Sequence, residues 1–188
     1  MLGIFGLAVV VVFSVYQFVS RGVGSTGVPA GQPLHYFAAP LAASTLNGAA
    51  NLKPPCTVAH HDARALNVCL LARRAPLVLA FFVTDSGKCR QQVDTLQAVS
   101  RQFPRAQVQF AAVAVGAGHA TVAAEVRTHR WRIPVAYDSD GRVGALYGVT
   151  ICPLIELVHK GGVVADRLIG NHWLEPDALA ARVRALVG

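Results

Sequence analysis

The sequence is poor in charge, and above all in negative charge. Charged residues make up only 14% of the 188 positions, and 10 acidic residues stand against 17 basic ones, for a formal net charge of +7. The basic residues are scattered, apart from Arg73-Arg74 and the stretch from Arg127 to Arg132. A nucleic-acid-binding protein normally carries a basic stripe interleaved with aromatic residues. The sequence therefore argues against nucleic acid as a partner and indicates, at most, a mild attraction to an anionic membrane surface.

Hydrophobic residues are abundant, at 53% of the chain, and a long run of them lies at its start. The stretch from Leu2 to Val19 carries no charge and would span roughly 27 Å as a helix, just enough for a bilayer core. No basic segment precedes it, although a cleaved signal peptide normally has one. We therefore predict a single-pass transmembrane anchor at residues 1–20, with a cleaved signal peptide as the alternative. Residues 21–33, rich in Gly, Ser and Pro, are predicted to form a flexible tether.

Beyond the tether, short apolar runs alternate with helical patterns. Residues 77–83 (LVLAFFV) and 108–115 (VQFAAVAV) are typical of buried parallel strands. The pattern predicts strands at 77–83, 108–115, 134–137, 154–159 and 163–169, and helices at 89–103, 120–129, 142–147 and 176–187. A βαβ unit followed by an antiparallel hairpin and a last helix indicates an α/β fold with one mixed sheet covered on both faces.

Several segments, taken in their order along the chain, resemble one known family. They are 31–37 (GQPLHYF), 77–90 (LVLAFFVTDSGKCR), 138–149 (DSDGRVGALYGV), 150–153 (TICP) and 161–164 (GGVV). Together they resemble the thioredoxin-like redoxins, particularly the membrane-anchored TlpA/ResA-type thiol-disulfide oxidoreductases. The resemblance implies a thioredoxin-like three-layer fold over residues 34–188, with a central mixed sheet, helices on both faces and an insertion at about 52–74.

The active-site segment departs from that family. The family's Cys-x-x-Cys aligns with Ser86-Gly87-Lys88-Cys89, so that only the second cysteine is kept. A serine cannot form a mixed disulfide, which excludes the family's usual nucleophile at position 86. Ser86 remains a good N-cap for the following helix.

The resemblance also implies a replacement for the missing cysteine. Cys152 directly precedes the proline that falls where the family carries its cis-proline, and should therefore lie near Cys89. The two would form a displaced redox couple, with Cys89 as the principal reactive residue and Cys152 as its resolving partner. Lys88 and the helix N-terminus would favour the thiolate, and Ser86 would cap the helix or hydrogen-bond the sulfur.

Ile151 and Pro153, on either side of Cys152, would position the substrate. This interpretation predicts a thiol-disulfide redox role on the extracytoplasmic side of the cell membrane, with a protein thiol or disulfide as substrate or partner.

Other interpretations stay open at this point. Cys89 and Cys152 could equally be small buried core residues, and the domain a redox-inactive thioredoxin-fold module that binds a partner. A peroxiredoxin-like thiol peroxidase is a further alternative, because that family's P-x-x-x-T-x-x-C motif matches Ser86 and Cys89. The motif's proline, however, would fall on Phe82, and no Arg takes the place of the peroxiredoxin Arg near Pro153.

The remaining cysteines, Cys56 and Cys69, lie in the predicted insertion. Four cysteines allow three pairings; because the resemblance ties Cys89 and Cys152 to the active-site turn, we favour a structural disulfide between Cys56 and Cys69. An even cysteine count beyond a membrane anchor fits an oxidising compartment. His60-His61-Asp62 has the wrong spacing for a structural zinc site and is predicted to be a polar loop. We expect neither a metal nor a cofactor.

Overall fold

The computed structural model describes residues 26–52 and 62–188. In these ranges the strands are β1 Ala38–Pro40, β2 Ala65–Asn67, β3 Leu77–Phe82, β4 Gln109–Val115, β5 Val135–Asp138, β6 Leu154–Val158 and β7 Val164–Ile169. The helices are α1 Val68–Arg74, α2 Gly87–Ser100, α3 His119–His129, α4 Arg142–Leu146 and α5 Pro176–Val187, with a short 3₁₀ helix at Asn171–Leu174.

Five strands form one mixed sheet in the order β5-β4-β3-β6-β7. β3 runs parallel to β4 and antiparallel to β6, β4 and β5 are parallel, and β6 and β7 form the antiparallel hairpin. Every residue of β3 is buried, because the strand has a neighbour on each side and a covered face above and below. Its sequence is therefore a continuous apolar run instead of an alternating one. The mixed α/β sheet expected from the sequence is confirmed.

The residues of β3 contribute alternately to two hydrophobic cores, one on each face of the sheet. Val78, Ala80 and Phe82 belong to the core that also holds the buried residues of α2 and α5. Leu77, Leu79 and Phe81 belong to the other core. That second core also receives residues from α1, α4 and the N-terminal segment, namely Val68, Val143, Val28, Leu34 and Phe37. Helices thus cover both faces, and the structure has three layers.

Three elements were not predicted from the sequence: the two-stranded antiparallel sheet of β1 and β2, helix α1, and the 3₁₀ helix. β2 and α1 lie inside the predicted insertion at 52–74. The observed bounds of the predicted elements differ from the expected ones mostly at their ends. Helix α2, for example, begins at Gly87 instead of 89 and ends at Ser100 instead of 103.

The end of the predicted tether is packed against the sheet. Residues 26–33, which we call the N-terminal strap, include the buried Val28. The Gly31 N–H donates to the Val164 carbonyl at 2.8 Å, so backbone pairing with β7 holds the strap in place. For these residues the description as a flexible tether is wrong, and packed structure precedes the expected domain start at position 34.

The predicted anchor at residues 1–20 lies outside the described residues. Over residues 26–52 and 62–188, no helix is both long and apolar enough to cross a bilayer.

Candidate active site

The structure joins Cys89 and Cys152 in a disulfide whose Cα atoms are 5.6 Å apart. Cys89 lies in the first turn of α2, just after β3, and Cys152 lies in the loop before β6. Because β3 and β6 are antiparallel neighbours, the end of one lies beside the start of the other, and Phe81 pairs with Leu154. The sheet topology therefore brings together two cysteines that are 63 residues apart in the sequence, as the resemblance implied.

The two sulfur-bearing residues differ in exposure. Cys89 is 3% exposed, whereas Cys152 is half-buried. Beside Cys152, Ile151 is 49% exposed, and Pro153, which follows through a cis peptide bond, is buried. Cys152 is therefore the more accessible member of the pair, with an exposed apolar side chain next to it.

Ser86 occupies the N-cap position of α2, but its side chain accepts no capping hydrogen bond. Ser86 thus has the predicted N-cap position, but the capping bond, one of the two roles predicted for its hydroxyl, is absent. Arg90 of α2 ties the loop to the helix, because its Nη1 donates to the Thr84 carbonyl. Its Nε also lies 3.7 Å from Glu125 Oε2 of α3. Lys88 is exposed at the start of the helix.

Gln92, one turn after Cys89 on α2, connects the helix to the cis-proline loop. Its side chain is fully buried. Its Nε2 donates to the Leu154 carbonyl at 2.8 Å, and its Oε1 accepts from the Leu154 N–H at 3.2 Å. The same Oε1 lies 3.4 Å from Cys152 Sγ, so a reduced Cys152 thiol could donate to it. Gln92 thus fixes the distance between α2, which carries Cys89, and the loop that carries Cys152.

Replacing Gln92 with leucine should destabilise the protein by about 1–3 kcal/mol, because it removes two buried hydrogen bonds to Leu154. Urea unfolding with the disulfides intact measures this free energy. Gln91→Leu is the matched control, since Gln91 is exposed on the same helix and should change stability by less than about 0.5 kcal/mol. Equal effects of the two variants would contradict the bridging role of Gln92.

A second buried polar side chain, Glu156 of β6, lies on the other face of the sheet. Glu156 is 0% exposed. Its Oε1 accepts from the Val28 N–H of the N-terminal strap at 2.7 Å, and its Oε2 has no hydrogen-bond partner among the described residues. Burial raises the pKa of Glu156 to about 7, against the lowering effects of the Val28 N–H and Arg167; Asp166 adds to the increase.

Gln92 and Glu156 were both missed in the sequence, although each left a signal. Gln92 follows Cys89 by one helical turn, and such spacing places two side chains on the same face. Glu156 is the only charged residue in the apolar run of β6, LIELV. A charge inside a run typical of a buried strand indicates a buried carboxyl group that needs partners.

Cys69 lies buried in α1 and is disulfide-bonded. Cys56, its predicted partner, and His60-His61 lie outside the described residues, so that pairing stays a prediction. In the part of the chain that the structure describes, no group of three or more His, Cys, Asp or Glu side chains could hold a metal ion.

The mixed sheet between two helical layers, with a disulfide linking the start of α2 to a cis-proline loop, defines a thioredoxin-like fold. Solved structures agree. A protein assigned as the thiol:disulfide interchange protein DsbE of Chlorobium tepidum superposes with a TM-score of 0.68 at 20% identity, covering 86% of this chain and 99% of its own. A secreted Mycobacterium tuberculosis disulfide oxidoreductase homologous to E. coli DsbE gives 0.57 at 23% identity, covering 65% of this chain and 89% of its own.

Peroxidoxin BcpB of Mycobacterium tuberculosis superposes with a TM-score of 0.63 at 15% identity, over 85% of this chain and 98% of its own. At such identities the likeness establishes the fold. The sequence profile of the AhpC/TSA family matches residues 54–167, more than half of the chain. The protein belongs to the AhpC/TSA family. No curated protein sequence matches it significantly.

Proposed function

We propose that this protein carries out thiol-disulfide exchange, with Cys89 and Cys152 as its redox couple. The observation that carries the proposal is the disulfide between the first turn of α2 and the residue before the cis-proline. Cys152 supplies the second sulfur that the serine at position 86 cannot. The couple can therefore cycle between dithiol and disulfide without a Cys-x-x-Cys motif.

The difference in exposure favours Cys152 as the sulfur that meets the substrate. A substrate thiolate attacks Cys152 Sγ, the Cys89–Cys152 bond breaks, and its electron pair leaves on Cys89 Sγ. A second substrate thiolate then attacks the substrate sulfur of the mixed disulfide and displaces Cys152 as a thiolate. The substrate loses two electrons and gains a disulfide, while the couple is reduced to two thiols. The reverse sequence reduces a substrate disulfide.

Cys89 is placed to act as the leaving group in this step. It lies in the first turn of α2, where the partial positive charge of the helix N-terminus stabilises a thiolate. Lys88 adds a positive charge at the same end of the helix. Exchange is faster when the departing thiolate is better stabilised. These roles are the reverse of those implied by the family resemblance, in which Cys89 is the reactive residue and Cys152 the resolving one.

The substrate that fits this surface is a protein thiol or disulfide. Ile151 presents an exposed apolar side chain beside Cys152, and Pro153 fixes the backbone direction of the loop. We propose that these two residues position an extended substrate segment next to the disulfide.

We also propose that the domain faces the extracytoplasmic side on a single-pass anchor formed by residues 1–20. The uncharged apolar run from Leu2 to Val19 supports an anchor. The disulfide-bonded state of Cys69, Cys89 and Cys152 supports an oxidising compartment. Protease accessibility in intact and permeabilised cells tests the orientation.

Peroxide reduction is an alternative function, suggested by the AhpC/TSA family and by the structural similarity to peroxidoxin BcpB. It needs an exposed peroxidatic thiolate, and the candidate from the motif, Cys89, is only 3% exposed. The motif's proline is replaced by Phe82, and no Arg takes the place of the activating Arg near Pro153. We therefore expect no Cys89-dependent consumption of hydrogen peroxide, measured by its disappearance under stopped flow in the presence of a thiol reductant. Rapid consumption that is lost in Cys89→Ser would contradict this expectation.

Trapping each cysteine separately tests the exchange mechanism. The variants Cys89→Ser and Cys152→Ser each keep one thiol of the couple, and both are mixed with a peptide disulfide that releases a chromophoric thiolate. We expect Cys89→Ser, which keeps the accessible Cys152, to form the mixed disulfide at least about ten times faster than Cys152→Ser. In urea, where the fold no longer shields either thiol, the two variants should form the mixed disulfide at equal rates; this comparison is the control. Faster trapping at Cys89 would contradict the assigned roles, and no trapping by either folded variant would contradict the function.

A further inference from the structure

A surface cavity of about 330 Å³ lies where α2 ends and where β4 and β5 begin. The disulfide lies at the opposite end of α2: from Cys89 to Ser100 the helix extends by about 16 Å. The residues that line the cavity come from the end of α2, the loop that leads into β4, and the chain just before β5. Thiol-disulfide exchange uses none of them.

The inner wall of the cavity is apolar and partly aromatic. Val108, Phe110 and Ile133 line it and belong to the core beneath α2. The ring of Phe103 also lines it, with its centroid 6.1 Å from that of Phe110. Phe103 is half-buried, and its ring, together with the small exposed parts of Phe110 and Ile133, can contact one face of a flat apolar group.

The rim of the cavity is positively charged. Arg101, Arg105 and Arg132 line it and are exposed, and no acidic residue lines it. None of the three guanidinium groups forms an ion pair with a residue that the structure describes. Arginine is the side chain best suited to bind carboxylate and phosphate oxygens in a bidentate manner.

Gln97 supplies a buried polar group between the wall and the rim. It is only 7% exposed, and its Oε1 accepts from the Arg132 N–H at 2.8 Å and the Ile133 N–H at 3.0 Å. These two bonds fix the orientation of the amide. Its Nε2, a donor, has no acceptor within the described ranges, and it is the polar atom that Gln97 can offer to a ligand.

We infer that this cavity binds a small molecule with a flat apolar body and an anionic oxygen head group, a carboxylate or a phosphate. The body packs on Phe103, Phe110 and Ile133, and the head group accepts hydrogen bonds from the arginine rim and Gln97 Nε2. The site is separate from the disulfide and does not depend on the redox function.

Titration of the ¹⁵N-labelled protein with three probes tests this inference. Naphthoate and naphthyl phosphate carry the two head groups, and naphthamide is the uncharged analogue. We expect saturable shifts of the backbone amides of Arg132 and Ile133 with at least one anion, at affinity at least about ten times that for naphthamide. The anion that binds more tightly identifies the head group.

The matched variants are Arg132→Gln, on the rim, and Arg127→Gln, an exposed arginine of α3 outside the cavity. We expect Arg132→Gln to weaken anion binding at least about ten-fold and Arg127→Gln to leave it unchanged. Equal affinity for naphthamide, no saturable shift with any probe, or equal loss in the two variants would overturn the inference. Unchanged far-ultraviolet circular dichroism confirms that each variant is folded.

Discussion

Replacing Cys152 with serine should lower the rate at which the oxidised protein converts a dithiol peptide to its disulfide by about two orders of magnitude or more. The substitution removes the sulfur that the substrate attacks, and Cys89 alone has no partner with which to hold oxidising equivalents. The rate is measured from the appearance of the peptide disulfide by chromatography under single-turnover conditions. Cys89→Ser should have an effect of similar size, because it removes the leaving group.

Ser86→Ala tests whether position 86, which holds the nucleophilic cysteine in the family motif, takes part in the exchange reaction. The Ser86 hydroxyl makes no capping bond to α2, so its loss should change the exchange rate by less than about three-fold. A loss comparable to that of Cys152→Ser would show that Ser86 takes part in the chemistry. If Cys152→Ser kept the wild-type exchange rate, Cys152 would take no part in the chemistry.

A second large effect is expected on the pH dependence of the free energy of unfolding, because Glu156 is buried. Burial raises its pKa from 4.5 to about 7, so between these pH values the folded protein binds a proton that the unfolded chain does not. The stability linked to this proton is fully present below about pH 4.5 and is lost as the pH rises through about 7. The shift corresponds to a fall of up to about 3 kcal/mol in the free energy of unfolding across this window.

Glu156→Gln should remove the part of the pH dependence that is due to Glu156, because glutamine resembles the protonated acid and can still accept from the Val28 N–H. The buried Asp138, whose pKa is also raised by burial, keeps its own contribution. We expect the variant to match the wild type near pH 4.5 and to be more stable by up to about 3 kcal/mol at pH 8. Urea unfolding across the pH range, with disulfides intact, measures the difference. Glu175→Gln, at an exposed glutamate, is the control and should leave the wild-type dependence in place. A wild-type stability that does not fall between pH 4.5 and 8, or a Glu156→Gln variant that shows the same fall as the wild type, would contradict the assignment.

The sequence was sufficient for the central sheet because its strands are apolar runs of the right length. LVLAFF in β3 and QFAAVAV in β4 are largely apolar runs of six and seven residues, a length and composition typical of buried strands. The last helix, Pro176–Val187, was predicted with its exact bounds, since proline fits the first turn of a helix and the apolar spacing is regular.

The sequence-based predictions fail where contacts with distant parts of the chain determine which residues are buried or packed. Helix α2 holds two buried glutamines, Gln92 and Gln97, which the sequence does not distinguish from the exposed Gln91. Each is paired with backbone groups that lie far along the sequence, and no local pattern reports such partners. The N-terminal strap is similar: its Gly- and Pro-rich composition indicates a tether, but hydrogen bonds to β7 hold it in place.

At the site, the proximity of Cys89 and Cys152 is predictable only through the family resemblance, because no spacing rule links cysteines that are 63 residues apart. It could not assign the accessible sulfur. That assignment depends on how deeply the first turn of α2 packs beneath the cis-proline loop.

A redox titration of the four cysteines shows whether Cys89 and Cys152 form a redox couple. The full-length protein is equilibrated in glutathione buffers of graded potential, alkylated, digested and analysed by mass spectrometry. We expect Cys89 and Cys152 to become labelled together, in one two-electron transition, while Cys69 stays unlabelled until the protein is unfolded and reduced. Labelling of Cys89 and Cys152 at every potential, or at none, would show that they are not a redox couple.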